Sequence, residues 1–389
     1  MESMRSWFTI WGLGGALLMF GACAGPGGDL PVTAEPPIAE TDCEAVGDLE
    51  FICDFINPED IIAVPDTDLV VVSGYAGGAI HFVSASSRTH RRVFPVADPI
   101  VQHDAATYPS CPGPIDPAEG EAFSAHGLNL RLIEDGRYLL YVVHHGFRES
   151  IEFFEIETRD SDTAERPSMM WVGCVVAPES VLLNSVSPLP SGGFVTTGLS
   201  LQRDADGGTR VGTGVVWEWH PVDGWTIVPG SESPGGPNGI EASADGNWLY
   251  VNLHSGAQLM RLSRSRTPFE REVVDLTFYP DNIRWQTDGS LLIAGQGAVS
   301  MERIIECLRT FCSDMTSHVA VVNPDTLAIE GIVNFPANEV FFTATSALQV
   351  GDEIWVGSMR GDRIARFSAS SLGGSQSLNS NLDNVLARP

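Results

Sequence analysis

Three of the nine histidines of this 389-residue chain fall in one stretch, "SAHGLNLRLIEDGRYLLYVVHHG", residues 124–146. His126 stands before an apolar run at 127–133, and His144 and His145 follow the next run at 138–143. The polar turn Glu134-Asp135-Gly136-Arg137 between the runs reads as the tip of a hairpin. If Ile133 pairs with Tyr138 across that turn, His126 lies directly opposite His145, with Cβ atoms about 4.5–5.5 Å apart. A one-residue slip would put His144 there instead. Two imidazoles at that spacing can hydrogen-bond, one accepting a proton and the other tuning it.

A second set of residues offers oxygen. Glu59, Asn184, Asn238, Asp281 and Asn282 stand at the starts of short apolar runs. Two are carboxylates and three are amides. Calcium takes six to eight oxygens in irregular geometry, whereas magnesium usually keeps more water. Zinc would want His or Cys. Two negative charges match a divalent ion, so this set points to Ca²⁺.

These residues need elements that bring them together. The flanking segments repeat: "NPEDIIAVPDTDLVVVSG" from Asn57, "AHGLNLRLIEDGRYLLYVVHHG" from Ala125 and "LNSVSPLPSGGFVTTG" from Leu183. The others are "PNGIEASADGNWLYVN" from Pro237, "PDNIRWQTDGSLLIAG" from Pro280 and "TSALQVGDEIWVGS" from Thr345. Each holds a polar residue or pair, a short apolar strand, a Gly or Asp turn and a second apolar strand. Aligning Glu59, His126, Asn184, Asn238, Asn282 and Ser346 gives six copies at unequal steps. Helical periodicity is almost absent between the termini. Four-stranded blades joined by loops of varying length account for this pattern, giving an all-β, six-bladed β-propeller. A sandwich or barrel with look-alike hairpins would not repeat the same polar anchor six times. In a propeller the innermost strands line a central channel, and the anchors would meet at one mouth of it. The expected domain runs over residues 46–367.

Composition narrows the partners. Hydrophobic residues make up 43%, enough for a sizeable core, and 22 Lys+Arg against 50 Asp+Glu give a formal charge of −28. Such a chain repels phosphate backbones and anionic membrane surfaces, so nucleic acid is excluded as a partner. All 22 basic residues are arginine. Without lysine, Schiff-base chemistry and a Walker-type phosphate site are excluded.

The amino terminus reads as an export signal over residues 1–22, with an apolar run at 7–20 too short to span a bilayer comfortably. "FGACAG" resembles a bacterial lipoprotein signal with Cys23 as the lipid-bearing residue. Ordinary cleavage at the small residues Ala22-Cys23-Ala24 is the alternative. Either way the chain is exported, to the periplasm or cell envelope as a lipoprotein or otherwise as a secreted protein. A lipid anchor would be its contact with membrane. Residues 23–45 read as a Pro/Gly/acidic tether and residues 368–389 as a loose polar tail. In an oxidising compartment the six remaining cysteines read as disulfides. Six cysteines permit 15 pairings. Local closure favours Cys43 with Cys53 and Cys307 with Cys312, which leaves Cys111 with Cys174.

Taken in order, "PEDI" (58–61), "AHGL" (125–128), "VVHHG" (142–146), "LLNSV" (182–186), "PNGI" (237–240), "PDNI" (280–283) and "TSALQVGDEIWVGS" resemble the calcium-dependent paraoxonase/arylesterase family. More distantly they are similar to the gluconolactonase and strictosidine-synthase-like propellers. The resemblance spans about residues 51–367 and rests on the order and spacing of the motifs together. It implies a catalytic Ca²⁺ held by Glu59, Asn184, Asn238, Asp281 and Asn282, and a His126–His145 dyad. It also implies hydrolysis of a small lactone or ester, the ion polarising the carbonyl and the dyad or a metal-bound carboxylate (Asp281 or Glu59) activating water. The family has a second, structural calcium. Asp60 matches one of its carboxylates, but Ser185 stands where the family has an Asp. Gly146 replaces a proline and His144 an asparagine at the mouth of the site. Two other functions fit the same residues: a non-catalytic calcium-containing propeller that binds a ligand or protein, and a sugar lactonase using an acidic base without the His pair. Loops such as 98–123 and 295–317, which would set the substrate, carry no motif, and nothing in the sequence bears on oligomeric state.

Overall fold

The computed structural model describes residues 43–116, 123–158, 167–203, 209–308, 310–373 and 376–377. The expected export signal at residues 1–22, the expected lipidation site Cys23, and residues 24–42 and 378–389 lie outside the described residues.

Six antiparallel sheets form a ring, a six-bladed β-propeller. Strand β1 (Glu50–Ile52) comes first in the chain but belongs to the last blade. Blade I holds β2 (Pro58–Ala63), β3 (Leu69–Gly74), β4 (Ile80–Ser84) and β5 (His90–Phe94). Blade II holds β7 (Phe123–Glu134), β8 (Arg137–Gly146), β9 (Ser150–Glu157) and β10 (Ser168–Val176), with β6 (Ile100–Val101) on its outer edge. Blade III is β11 (Val181–Pro188), β12 (Phe194–Arg203), β13 (Thr209–His220) and β14 (Gly224–Ile227). Blade IV is β15 (Pro237–Ala242), β16 (Trp248–Leu253), β17 (Gln258–Ser263) and β18 (Arg271–Asp275). Blade V is β19 (Tyr279–Trp285), β20 (Leu291–Gly297), β21 (Thr316–Val322) and β22 (Ile329–Pro336); helix α1 (Met301–Cys307) interrupts its second loop. Blade VI is β23 (Ala344–Val350), β24 (Glu353–Ser358) and β25 (Ile364–Ser368), and β26 (Gln376–Ser377) adds to the edge of blade V.

Blade VI has only three strands of its own, and β1 pairs antiparallel with β25 to complete it. The start and end of the fold are therefore stitched together, which removes the open edge that a linear array of sheets would leave.

Each blade is covered on both faces by its neighbours, so second strands are apolar on both sides. Every residue of β3 (LVVVSG) is buried. In β24 (EIWVGS) all but the first residue is buried. Burying a Val, Leu or Ile side chain stabilises by about 1.5–3 kcal/mol, and the inter-blade layers are built almost wholly of such residues and aromatics.

The three disulfides pair as the sequence suggested: Cys43–Cys53, Cys111–Cys174 and Cys307–Cys312. Such bonds persist in oxidising, extracytoplasmic compartments. No described helix is long and apolar enough to cross a membrane.

The innermost strands β2, β7, β11, β15, β19 and β23 each pack against the next around the axis. Each breaks register with its second strand near its start. The breaks lie between Pro58 and Ile61, Ala125 and Leu128, Leu183 and Val186, Pro237 and Ile240, Pro280 and Ile283, and Ala344 and Ser346. A bulge re-aims the side chains at its two unpaired positions. Here those positions are Glu59-Asp60, His126-Gly127, Asn184-Ser185, Asn238-Gly239 and Asp281-Asn282, with Thr345 in blade VI. The repeat alignment is thereby corrected in two blades: Asp281, not Asn282, and Thr345, not Ser346, are the equivalents of Glu59.

The hairpin register is also corrected. Ile133 does not face Tyr138, because Leu132 does. At the histidine end Ser124 faces His145 and Ala125 faces His144, so His126 has no direct cross-strand partner. Two register shifts displace it, one beside the turn between Leu132 and Glu134 and one inside the strand between Ala125 and Leu128.

Candidate active site

The six bulges are locked to one another around the ring. Thr345 and Ser346 hydroxyls both donate to the Glu59 carbonyl, at 2.6 Å each. The Thr197 hydroxyl donates to the Asn238 carbonyl. Two glycines allow the closest approaches. A Cβ on Gly127 would lie 2.5 Å from the Asn184 carbonyl oxygen, and one on Gly239 would lie 2.4 Å from that of Asp281. Only glycine fits there without moving the neighbouring blade's backbone.

Glu59, Asp281 and Asn282 are buried, and Asn184 and Asn238 are half-buried. Asn282 Nδ2 donates to Glu59 Oε1 at 2.7 Å, and the Asn238 side chain hydrogen-bonds Asp281. Gln296 Nε2 donates to Asp281 Oδ2 at 2.9 Å, and its own carbonyl oxygen meets His254 Nε2 at 2.9 Å. These contacts leave a pattern. Glu59 Oε2 and the side-chain oxygens of Asn184, Asn238 and Asn282 are buried and have no hydrogen-bond partner. Unpaired buried oxygens are costly and uncommon. Burial, together with the nearby Asp60 and Asp281, pushes the Glu59 carboxyl well above its ordinary range. Burial raises Asp281 too, with His254 opposing. Four unpaired oxygens and two mutually repelling carboxylates are what a hard divalent cation would satisfy. The residues therefore fit a calcium ion.

The histidines lie beside this set. His126 Nδ1 is 2.7 Å from His145 Nε2, and His126 Nε2 is 3.6 Å from Glu59 Oε1. His145 Nδ1 in turn meets the Glu149 carboxylate at 2.8 Å, and that carboxylate also accepts the Leu183 N–H at 2.6 Å. Burial, then the neighbouring His145, depresses His126 well below the usual imidazole range. The Tyr75 ring packs on His126 with centroids 4.9 Å apart.

His145, and not His144, is the inward residue. His144 is fully buried behind it, stacked on Phe123 at 5.0 Å, with Nδ1 3.1 Å from the Ser124 carbonyl. Burial first, then His145, drives it down to about 3.

Asp60, matched from sequence to a second calcium, has both carboxylate oxygens engaged by the chain. Its Oδ1 accepts the Ile61 N–H at 2.8 Å, and its Oδ2 accepts the Leu128 N–H at 2.7 Å and the Arg284 guanidinium. Among the described residues, the candidate ligand atoms of Cys307, Cys312 and Asp314 also lie within 4.8 Å of one another. Their two sulfurs are bonded to each other and cannot serve as thiolate ligands.

Glu149, Gln296, His254 and Arg284 were not singled out from sequence. Glu149 left one signal, a carboxylate four residues beyond His145 in a tight connection. Gln296 meets Asp281 within blade V, His254 meets Gln296 from blade IV, and Arg284 reaches Asp60 across 224 residues.

No family model matches the chain, and no curated protein matches it. Solved structures do match. A luciferin-regenerating enzyme is 12% identical over 84% of this chain and 97% of its own, with a TM-score of 0.49. The allergen Mala s 1 of Malassezia sympodialis is 13% identical over 85% and 99%, with a TM-score of 0.48. The calcium-binding protein regucalcin of Agrobacterium tumefaciens is 13% identical over 79% and 88%, with a TM-score of 0.44. At these scores the likenesses assign no activity to this chain.

Proposed function

We propose that this chain is a calcium-dependent hydrolase of lactones or related esters. The observation that carries the reading is the set of four buried, unpartnered oxygens standing against the His126–His145–Glu149 chain. Glu59, Asn184, Asn238, Asp281 and Asn282 would hold the ion, through two carboxylates and three amide oxygens. Bound calcium would supply Lewis-acid polarisation of the substrate carbonyl and offset the charge that develops on its oxygen.

The chain's own residues handle the proton. The Glu149 carboxylate accepts from His145 Nδ1–H, which leaves the lone pair of His145 on Nε2. That nitrogen accepts from His126 Nδ1–H, so the free lone pair of the relay sits on His126 Nε2, the atom nearest Glu59. Burial keeps His126 neutral, which leaves the Nε2 lone pair free. His126 Nε2 takes the proton of an attacking water as its oxygen adds to the carbonyl carbon. The same proton returns to the alcohol oxygen as the ester C–O bond breaks. The Tyr75 ring packs against the His126 imidazole.

The test is turnover of a panel of lactones and aryl esters by the full chain, before and after calcium chelation. The expected result is hydrolysis that is lost on chelation and restored by Ca²⁺. If no substrate shows chelation-sensitive turnover, the enzyme reading fails, and a non-catalytic calcium-containing binding module remains.

A further inference from the structure

We infer that the guanidinium of Arg284 is the resident cation of a second tier inside the propeller, so that this tier takes no metal ion. The inference goes beyond the hydrolytic reading and concerns what holds the ring closed beneath it.

Three positions past the first bulge residue, four consecutive blades present Asn129, Ser187, Glu241 and Arg284. Asp60 joins them from blade I. All five are buried. Two carboxylates at such depth need a positive charge. Arg284 supplies it with its whole fork. Nη2 donates to Asp60 Oδ2 and to the Leu128 carbonyl at 2.7 Å. Nη1 donates to the Ile283 carbonyl at 3.0 Å and approaches Glu241 Oε1 at 3.4 Å, and Nε reaches the Ile61 carbonyl at 3.4 Å.

The surroundings are those of a hard-cation site, two carboxylates and three backbone carbonyls, but the centre is covalently part of the chain. The remaining acceptors are also used. Asn129 donates to Glu241 Oε1 at 3.2 Å, and Ser187 donates to Oε2 at 3.2 Å. No side-chain oxygen of Asp60, Asn129, Ser187 or Glu241 is unpartnered, whereas four are at the mouth. One tier has every side-chain oxygen partnered by the chain itself and the other does not. A guanidinium, planar and permanently charged, can bridge blades I, II and IV from blade V in a way no ammonium could.

The test is equilibrium dialysis of the full chain against radioactive Ca²⁺. The wild type is expected to bind at most one equivalent, and the double variant Glu59→Gln/Asn238→Ala none. Two equivalents in the wild type, or one that survives the double variant, would place calcium in the second tier and overturn the inference. Zero in the wild type would support an ion-free second tier and instead remove the calcium reading of the mouth. In parallel, Arg284→Met keeps the apolar stem and deletes the charge. Its urea midpoint is expected to fall equally with calcium saturating and with calcium chelated, and an unchanged midpoint counts against the inference. If that variant does not fold, the wild-type stoichiometry still decides.

Discussion

The Nδ1 of His126 lies 2.7 Å from the Nε2 of His145, although the residue paired with His145 in the β7–β8 ladder is Ser124. The bulge at His126-Gly127 makes the contact. It turns the His126 side chain toward the axis and brings the ring onto a neighbour two places off register. The same local deformation recurs in every blade, at Glu59, Asn184, Asn238 and Asp281 as at His126.

If His126 Nε2 is the base, His126→Gln lowers kcat by about 10²–10⁴-fold while calcium affinity and far-UV circular dichroism stay near wild type. Glu149→Gln gives a smaller loss, because it disturbs only the orientation and tautomer of His145. Asp281→Asn at saturating calcium is the control. Should His126→Gln be harmless and Asp281→Asn inactive with calcium still bound, an acidic base replaces the dyad.

Gly239→Ala tests the inter-blade contact. The new Cβ would sit 2.4 Å from the Asp281 carbonyl oxygen and 2.8 Å from Asn282 Cα, both backbone atoms. Overpacking of this kind costs about 1–3 kcal/mol, and the forced shift moves two proposed ligands. Calcium titration by calorimetry is expected to show weakened binding together with a lower Tm. Wild-type affinity would mean that this contact does not shape the mouth.

His144 gives a pH-dependence with a definite sign. Its pKa in the fold is depressed to about 3 from the ordinary 6.5, so its contribution is present above 6.5 and is lost as pH falls toward 3. At pH 5 the loss reaches up to about 2 kcal/mol. His144→Phe keeps a ring against Phe123 and removes the titration. Urea unfolding at pH 5 and pH 7.5 is expected to show the variant gaining on wild type at the lower pH. A wild-type-minus-variant difference that is constant with pH would refute the assignment.

The disulfides should rank by the loop they close. Cys111–Cys174 spans 63 residues and Cys307–Cys312 spans 5. In the chain-entropy picture, replacing each pair by serine costs about 4 and about 2 kcal/mol respectively. Denaturant midpoints of the two double variants give the order directly, and a reversed order would mean that packing around the bonds outweighs loop entropy.

Much of this protein is written locally. Short apolar runs closed by Gly and Asp turns mark strands wherever they occur, and six recurrences of one polar anchor are enough to give six blades. Six cysteines in a chain expected to be exported imply bonds, and proximity in sequence suggests two of the three. The oxygen-bearing residues could be named because residue type and position at a strand start are both visible in one dimension.

The direction in which those side chains point was not visible. A bulge inside a strand leaves no turn residue to announce it, so the assumed register put His126 opposite His145 for the wrong reason and could not separate His145 from His144. Contacts that depend on ring closure were also hidden. Arg284 meets Asp60 across 224 residues, and Asn282 meets Glu59 across 223. The sequence alone determined which groups this protein has to work with, because composition, alternation and turn chemistry act over a few residues. The tertiary structure alone decided which of them share a site and which are neutralised by the chain itself. Burial and charge compensation are properties of the closed ring, in which residues from opposite ends of the sequence become neighbours.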